Sequence, residues 1–155
     1  ILANQVDGPS EVTHFFVSRK VPDNRLFYSK KGSATYYPLY HSSNEGLVSD
    51  KRSCISQKIG NQIAVALGLT WDECNEGDYE HTLGSEEILY YCYALFHSPH
   101  YRSSNMKSLT SEAPRIFLPK ALDFFVQLAC LGRELVYLHL LESQKLNNLN
   151  TVNLD

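Results

Sequence analysis

Ser85-Glu86-Glu87-Ile88-Leu89-Tyr90-Tyr91-Cys92-Tyr93-Ala94-Leu95-Phe96-His97, followed at once by Ser98-Pro99, decides the architecture of this chain. Ser85 offers a cap, and Glu86 and Glu87 set carboxylates against the positive end of a helix. Ile88, Leu89, Tyr91, Cys92, Leu95 and Phe96 supply one apolar face, so the spacing predicts a helix reaching about His97. Ser98-Pro99 then restarts a helix through about Lys107, with serine as cap and proline in the first turn. Ala113-Pro114-Arg115-Ile116-Phe117-Leu118-Pro119 is expected to be extended, because each proline disfavours helix before it. From Lys120 to about Glu142, Leu122, Phe125, Val126, Ala129, Leu135, Leu138 and Leu141 form a broad apolar stripe broken once at Gly132, which predicts the longest helix.

Upstream the pattern changes. Leu2 to Val6 and Thr13-His14-Phe15-Phe16-Val17 read as strands separated by the turn Asp7-Gly8-Pro9-Ser10. Leu26-Phe27-Tyr28 is a brief extended piece, and Ala34 to Tyr40 is a strand that Pro38 confines to a sheet edge. His41 to Ser53 is polar and reads as an exposed loop. Ser53 then caps a helix near 54–67, with Ile55, Ile59, Ile63, Ala66 and Leu67 at helical spacing and Gly68 as its stop. Trp71 to Gly84 is acidic and without period. The expected class is α+β: a small N-terminal, mostly antiparallel β part followed by a helical part ending in a long C-terminal helix. The division is a β-rich part over 1–53, a helical scaffold over 54–146 and a frayed tail over 147–155, all in a single domain fragment spanning 1–155.

Composition agrees with one globular unit. The 155 residues are 43% hydrophobic and 20% charged, outside the range of disordered chains, and a domain of this size buries roughly 68–70% of its unfolded surface. Cys54, Cys74, Cys92 and Cys130 form no close pair of the kind zinc ribbons or redox dithiols use, so reduced cytoplasmic thiols are expected. No run approaches the ~18 apolar residues of a membrane span, and no signal peptide opens the chain. Met106 is the only methionine and Ile1 begins an apolar run, so the chain is expected to be an excised fragment of a longer protein.

The formal charge of −3 argues against a uniformly basic nucleic-acid binder, but the charges are segregated. Residues 1–31 hold Arg19, Lys20, Arg25, Lys30 and Lys31 against Asp7, Glu11 and Asp23. Residues 72–87 hold Asp72, Glu73, Glu76, Asp78, Glu80, Glu86 and Glu87 with no Lys or Arg, after which Arg102, Lys107, Arg115 and Lys120 face only Glu112. Tyr28, Tyr36, Tyr37 and Tyr40 stand beside the first basic segment. Bases interleaved with tyrosines suit phosphate contact and stacking; they also suit an edge sheet with half-buried tyrosines and a solvated turn.

Catalytic signatures are missing. The chain has no GxxxxGK[ST] loop, GxGxxG, GxSxG elbow or HExxH pair. His97 and His100 straddle a helix break, which explains them better as helix-end residues than as a metal pair. Cys92, among Tyr90, Tyr91 and Tyr93, reads as a core thiol with no base beside it. A free-standing small enzyme is therefore the weakest reading.

Three blocks go further. Asn4-Gln5, His14-Phe15-Phe16-Val17-Ser18 and Tyr37-Pro38-Leu39-Tyr40 make the first. The second runs from Ile88 through Tyr93-Ala94-Leu95-Phe96-His97-Ser98-Pro99-His100-Tyr101-Arg102 to Pro114-Arg115-Ile116-Phe117-Leu118-Pro119. The third is Leu128-Ala129-Cys130-Leu131-Gly132-Arg133-Glu134-Leu135-Val136-Tyr137-Leu138-His139-Leu140-Leu141-Glu142. In this order they resemble the C-terminal end of the type ISP restriction-modification enzymes, single polypeptides in which a nuclease, a helicase-like ATPase and an adenine-N6 methyltransferase precede a target recognition domain. Phe117 departs from the relatives' more usual proline, and the loop from His41 to Ser53 follows no family pattern.

The resemblance implies a catalytically inert fragment that recognises a sequence in double-stranded DNA, with 1–53 facing the DNA and the helices docking on the methyltransferase domain upstream. S-adenosylmethionine, ATP and Mg are expected only in those upstream domains, and no cofactor or membrane is expected here. Arg19, Lys20, Arg25, Lys30 and Lys31 are the candidate phosphate contacts. The forks of Arg19, Arg25, Arg102 and Arg115 are the candidate base readers. A protein-interaction scaffold with no DNA contact is the alternative, which the charge of −3 favours.

Overall fold

The computed structural model describes residues 2–3, 15–21, 35–42, 51–111 and 114–146. In chain order its elements are β1 (Leu2–Ala3), β2 (Phe15–Phe16), β3 (Thr35–Tyr36), β4 (Tyr40–Ser42), β5 (Lys51–Ser53), α1 (Gln57–Leu67), β6 (Thr70–Trp71), β7 (Thr82–Leu83), α2 (Ser85–His97), α3 (Pro99–Ser111) and α4 (Leu122–His139). The class is α+β and the last helix is the longest, as the patterning predicts. β1 lies between β2 and β3, antiparallel to both, with Leu2 opposite Phe16 and Tyr36. Among the described residues β3 is thus an end strand of its sheet, and Pro38 follows two residues after it. The extended piece at Leu26–Tyr28, the turn at 7–10 and the tail at 147–155 lie outside the described residues.

Two segments depart from the sequence reading. Polar composition predicts a loop from His41 to Ser53, yet the ends of this stretch form the antiparallel pair β4–β5, with His41 opposite Arg52. Strand pairing there is a long-range relation that polar composition does not reveal. Ser53 therefore sits in a strand, where its Oγ accepts the Ile55 N–H, and Ser56 caps α1 instead. The aperiodic acidic stretch holds a parallel pair, β6–β7, with Thr70 opposite Thr82 and Trp71 opposite Leu83.

That pairing explains several of the acids. Asp78 accepts the N–H groups of Glu80, His81 and Thr82 at 2.9, 2.7 and 2.8 Å, folding the loop back toward β7. Asp72 accepts those of Cys74 and Asn75 at 3.0 and 3.1 Å. Glu87, only 3% exposed, accepts the Gly77 and Gly84 N–H groups at 3.0 and 2.9 Å and so ties the loop to the start of α2. The cap is this Glu87 carboxylate, and Ser85 is the first helical residue.

α2 and α4 make the main core layer. Tyr90, Tyr91 and Tyr93 on α2 bury against Phe125, Ala129 and Val136 on α4, with Ile63 and Leu67 of α1 and Leu83 of β7 closing one side. Gly132 sits where the helices cross: a Cβ there would fall on the Tyr90 carbonyl, so the break in the apolar stripe is a packing requirement. Gly68 has φ 74° and ends α1 with its N–H on Ala64 and Val65 carbonyls, the left-handed stop foreseen for it. A second cluster joins Phe15 to Phe96, stacked at 4.4 Å, and to Tyr101 and Leu109. It carries the N-terminal sheet on the helices. α3 runs to Ser111, a turn beyond the expected end at Lys107.

Candidate functional site

A groove of about 580 Å³ opens between the N-terminal strands and the α2–α4 pair. Residues 17–21 form one wall, Tyr36, Tyr37 and Tyr40 another, and Glu86, Tyr90 and Tyr137 the floor contributed by the helices. Two of the sequence-predicted cations, Arg19 and Lys20, are on this wall, beside three of the tyrosines singled out with them. Ser18 shapes the turn that presents them: its Oγ accepts the Lys20 N–H at 3.1 Å and donates to the Lys20 carbonyl at 2.7 Å. Arg25, Lys30 and Lys31 lie outside the described residues.

The guanidinium of Arg19 is engaged. Its Nε and Nη2 donate to the two Glu142 carboxylate oxygens at 2.5 and 2.6 Å, a fork-to-fork pair. Glu142 is held in turn by its own N–H on the Tyr137 carbonyl at 2.8 Å, just after Leu141 takes a left-handed φ of 60° past the end of α4. The pair holds the Glu142 carboxyl below the usual carboxylate range. Opposite, burial pushes the Tyr40 hydroxyl well above its ordinary value, helped by its hydrogen bond to Glu86. Tyr40 therefore stays a neutral donor in the groove.

The other two arginines stand elsewhere. Arg102 Nε donates to the Phe96 carbonyl at 2.5 Å, and its guanidinium lies 6.0 Å from the Phe15 ring centre. It clasps the end of α2 to the N-terminal sheet. Arg115 is exposed in the extended segment 114–119, which buried tyrosines tether: Tyr101 OH donates to the Arg115 carbonyl at 2.5 Å and Tyr91 OH to that of Phe117 at 3.0 Å. This segment borders a second cavity of about 540 Å³, lined by Tyr91, Tyr101, Phe117 and Phe124 among others.

His97 and His100 face different surroundings. His97 packs on Tyr93 and His139, and burial, with Arg102 and His139 nearby, lowers its pKa to about 4. Tyr93 OH meets His139 Nδ1 at 2.5 Å. His100 lines the second cavity. Cys92 is a partly buried thiol whose pKa desolvation pushes up to about 12, an inert sulfur in keeping with its helix position. Among the described residues no three His, Cys, Asp or Glu side chains gather as a metal ion needs. No helix among them is long and apolar enough to cross a membrane.

Sequence reasoning missed Glu86, Tyr90 and Tyr137 as groove residues, and Glu142 as the partner of Arg19. All belong to the helical part, which the patterning treats as scaffold, and only the tertiary contact of that part with residues 17–21 brings them in. No signal short of that contact singles out Glu142 from a solvated helix end.

No curated protein and no solved structure matches the chain. The family model described as the Type ISP C-terminal specificity domain matches residues 1–154, which takes in all three sequence blocks, the groove walls and the α2–α4 core. The chain belongs to that family, and with it to the target-recognition part of restriction-modification enzymes.

Proposed function

We propose that this domain binds double-stranded DNA through the groove between residues 17–21, Tyr36, Tyr37, Tyr40 and the α2–α4 floor, and that reading a target sequence there directs a methyltransferase and nuclease elsewhere in the same polypeptide. The observation that carries the reading is the convergence of Arg19 and Lys20 with three tyrosines on one concave face. Cations set register on phosphates, while tyrosine hydroxyls and the Glu86 carboxylate suit base edges, the carboxylate accepting from an exocyclic amino group. Arg25, Lys30 and Lys31 extend the basic surface in this proposal, and Arg115 is an outlying contact; Arg102 acts by holding the sheet on α2. The domain itself does no chemistry. S-adenosylmethionine, ATP and Mg serve the preceding domains.

Salt dependence tests this. Duplex affinity falls steeply between about 50 and 200 mM salt, and Lys20→Ala lowers the slope of log K against log salt by about one. Duplex affinity that ignores both salt and Lys20→Ala overturns the reading.

A second reading is favoured by one observation: Phe117, Leu118 and Phe124 are 58, 54 and 54% exposed beside the second cavity. An apolar strip of this kind suits protein contact. Under that reading alone, Phe117→Ser weakens association with the preceding domains and DNA affinity of the isolated domain is absent.

A further inference from the structure

Arg19 and Glu142 are 123 positions apart in sequence, yet they meet as a two-pronged pair at the edge of the groove. A guanidinium fork fits a carboxylate and a phosphate in the same way, through two parallel N–H···O bonds. The side chains are 65 and 35% exposed, so water and salt reach the pair and screen it despite its two-pronged geometry. Both ends are nonetheless preset: Ser18 fixes the turn that carries Arg19, and the Glu142 N–H is anchored on Tyr137 past the left-handed Leu141. A solvent-screened pair whose fork fits a phosphate equally well is open to exchange.

We infer, resting on the reading of this groove as the DNA face, that Glu142 is an internal stand-in for a backbone phosphate: it occupies Arg19 in the free domain and yields that guanidinium to a phosphate when a duplex enters. The exchange forms one charge-assisted pair and breaks another, and frees the Glu142 carboxylate to water. Its effect is to damp binding to any DNA backbone, because each duplex that uses Arg19 must first displace Glu142. A plain structural role is the rival: the pair would then staple residues 17–21 to the end of α4, and losing it would weaken DNA binding.

The test is fluorescence anisotropy of the full polypeptide carrying this domain with a labelled duplex of random sequence, from about 50 to 200 mM salt. E142Q, which keeps the side chain's shape, is expected to bind about 1.5- to fivefold tighter at low salt, with a steeper salt slope. In the R19A background E142Q brings no comparable gain. E142D, which keeps the charge but loses reach, gives a smaller rise and replaces E142Q if that variant melts early. Binding by E142Q that is unchanged or weaker, while R19A weakens it, overturns the stand-in and leaves the groove reading in place. If R19A and K20A both leave affinity and slope unchanged, the groove reading itself fails and takes this inference with it.

Discussion

Glu87 shows how a single acid is used in this fold. Two backbone N–H groups, of Gly77 and Gly84, depend on its largely buried carboxylate, and burial raises its pKa although both hydrogen bonds oppose the rise. Glu87→Ala leaves both donors without an acceptor, at a cost of about 1–3 kcal/mol, read as a lower urea midpoint with an unchanged slope. Glu80→Ala, on the exposed side of the same loop, is expected to fall within about 0.5 kcal/mol of wild type. His97 makes a pH prediction. Its pKa falls from 6.5 to about 4 on folding, so between those values the unfolded chain binds more protons. Its contribution to stability is complete above pH 6.5 and is lost as pH drops toward 4. Arg102 and His139 are the charged or titratable neighbours that oppose its protonation. His97→Gln should flatten the acid limb of a stability curve taken from pH 7 to pH 4; an unchanged limb would assign that sensitivity to other groups.

At the scale of elements the crossing of α2 and α4 governs stability. Gly132→Ala puts a methyl group onto the Tyr90 carbonyl, which is main chain and cannot swing aside, so the helices must separate. The expected loss is about 2–4 kcal/mol, or roughly 5–15 °C in Tm. Gly68→Ala is the useful contrast. Nothing lies within 4 Å of a Cβ there, and only the left-handed φ of 74° resists it, at about 1 kcal/mol. Thermal melting of the two variants should rank Gly132→Ala well below Gly68→Ala; the reverse order would mean that the crossing relaxes.

For the whole molecule, the arrangement that matters is the contact between the N-terminal strands and the helices. Phe15 stacked on Phe96, with Arg102 bridging the Phe96 carbonyl and the Phe15 ring, holds the sheet so that residues 17–21 overhang α2 and α4. Phe15→Ala is therefore expected to weaken duplex binding without removing any cation from the groove. It should also cost about 3–5 kcal/mol in denaturant unfolding, the usual price of emptying a buried aromatic site. Duplex affinity that survives this loss would show that the groove does not need the Phe15–Phe96 contact.

The helical half was legible because its signals are local. Periodic apolar residues over Ile88–Phe96 and Leu122–Val136, acids at a helix start, proline after Ser98 and glycine after Leu67 each act within a turn or two of chain. The class, the order of its parts and the family blocks follow from the sequence by itself. β4–β5 and β6–β7 were not legible, since short pairings depend on partners chosen by the rest of the fold and leave no period in two or three residues. The same reason hid the groove: Arg19 and Lys20 stood out as bases next to tyrosines, but that Glu142 would face Arg19, and Glu86 would face Tyr40, depends on packing between segments far apart in sequence. Local patterning determined which residues become helix and core; only the tertiary structure decided which charges meet, because electrostatic partners are set by distance in space.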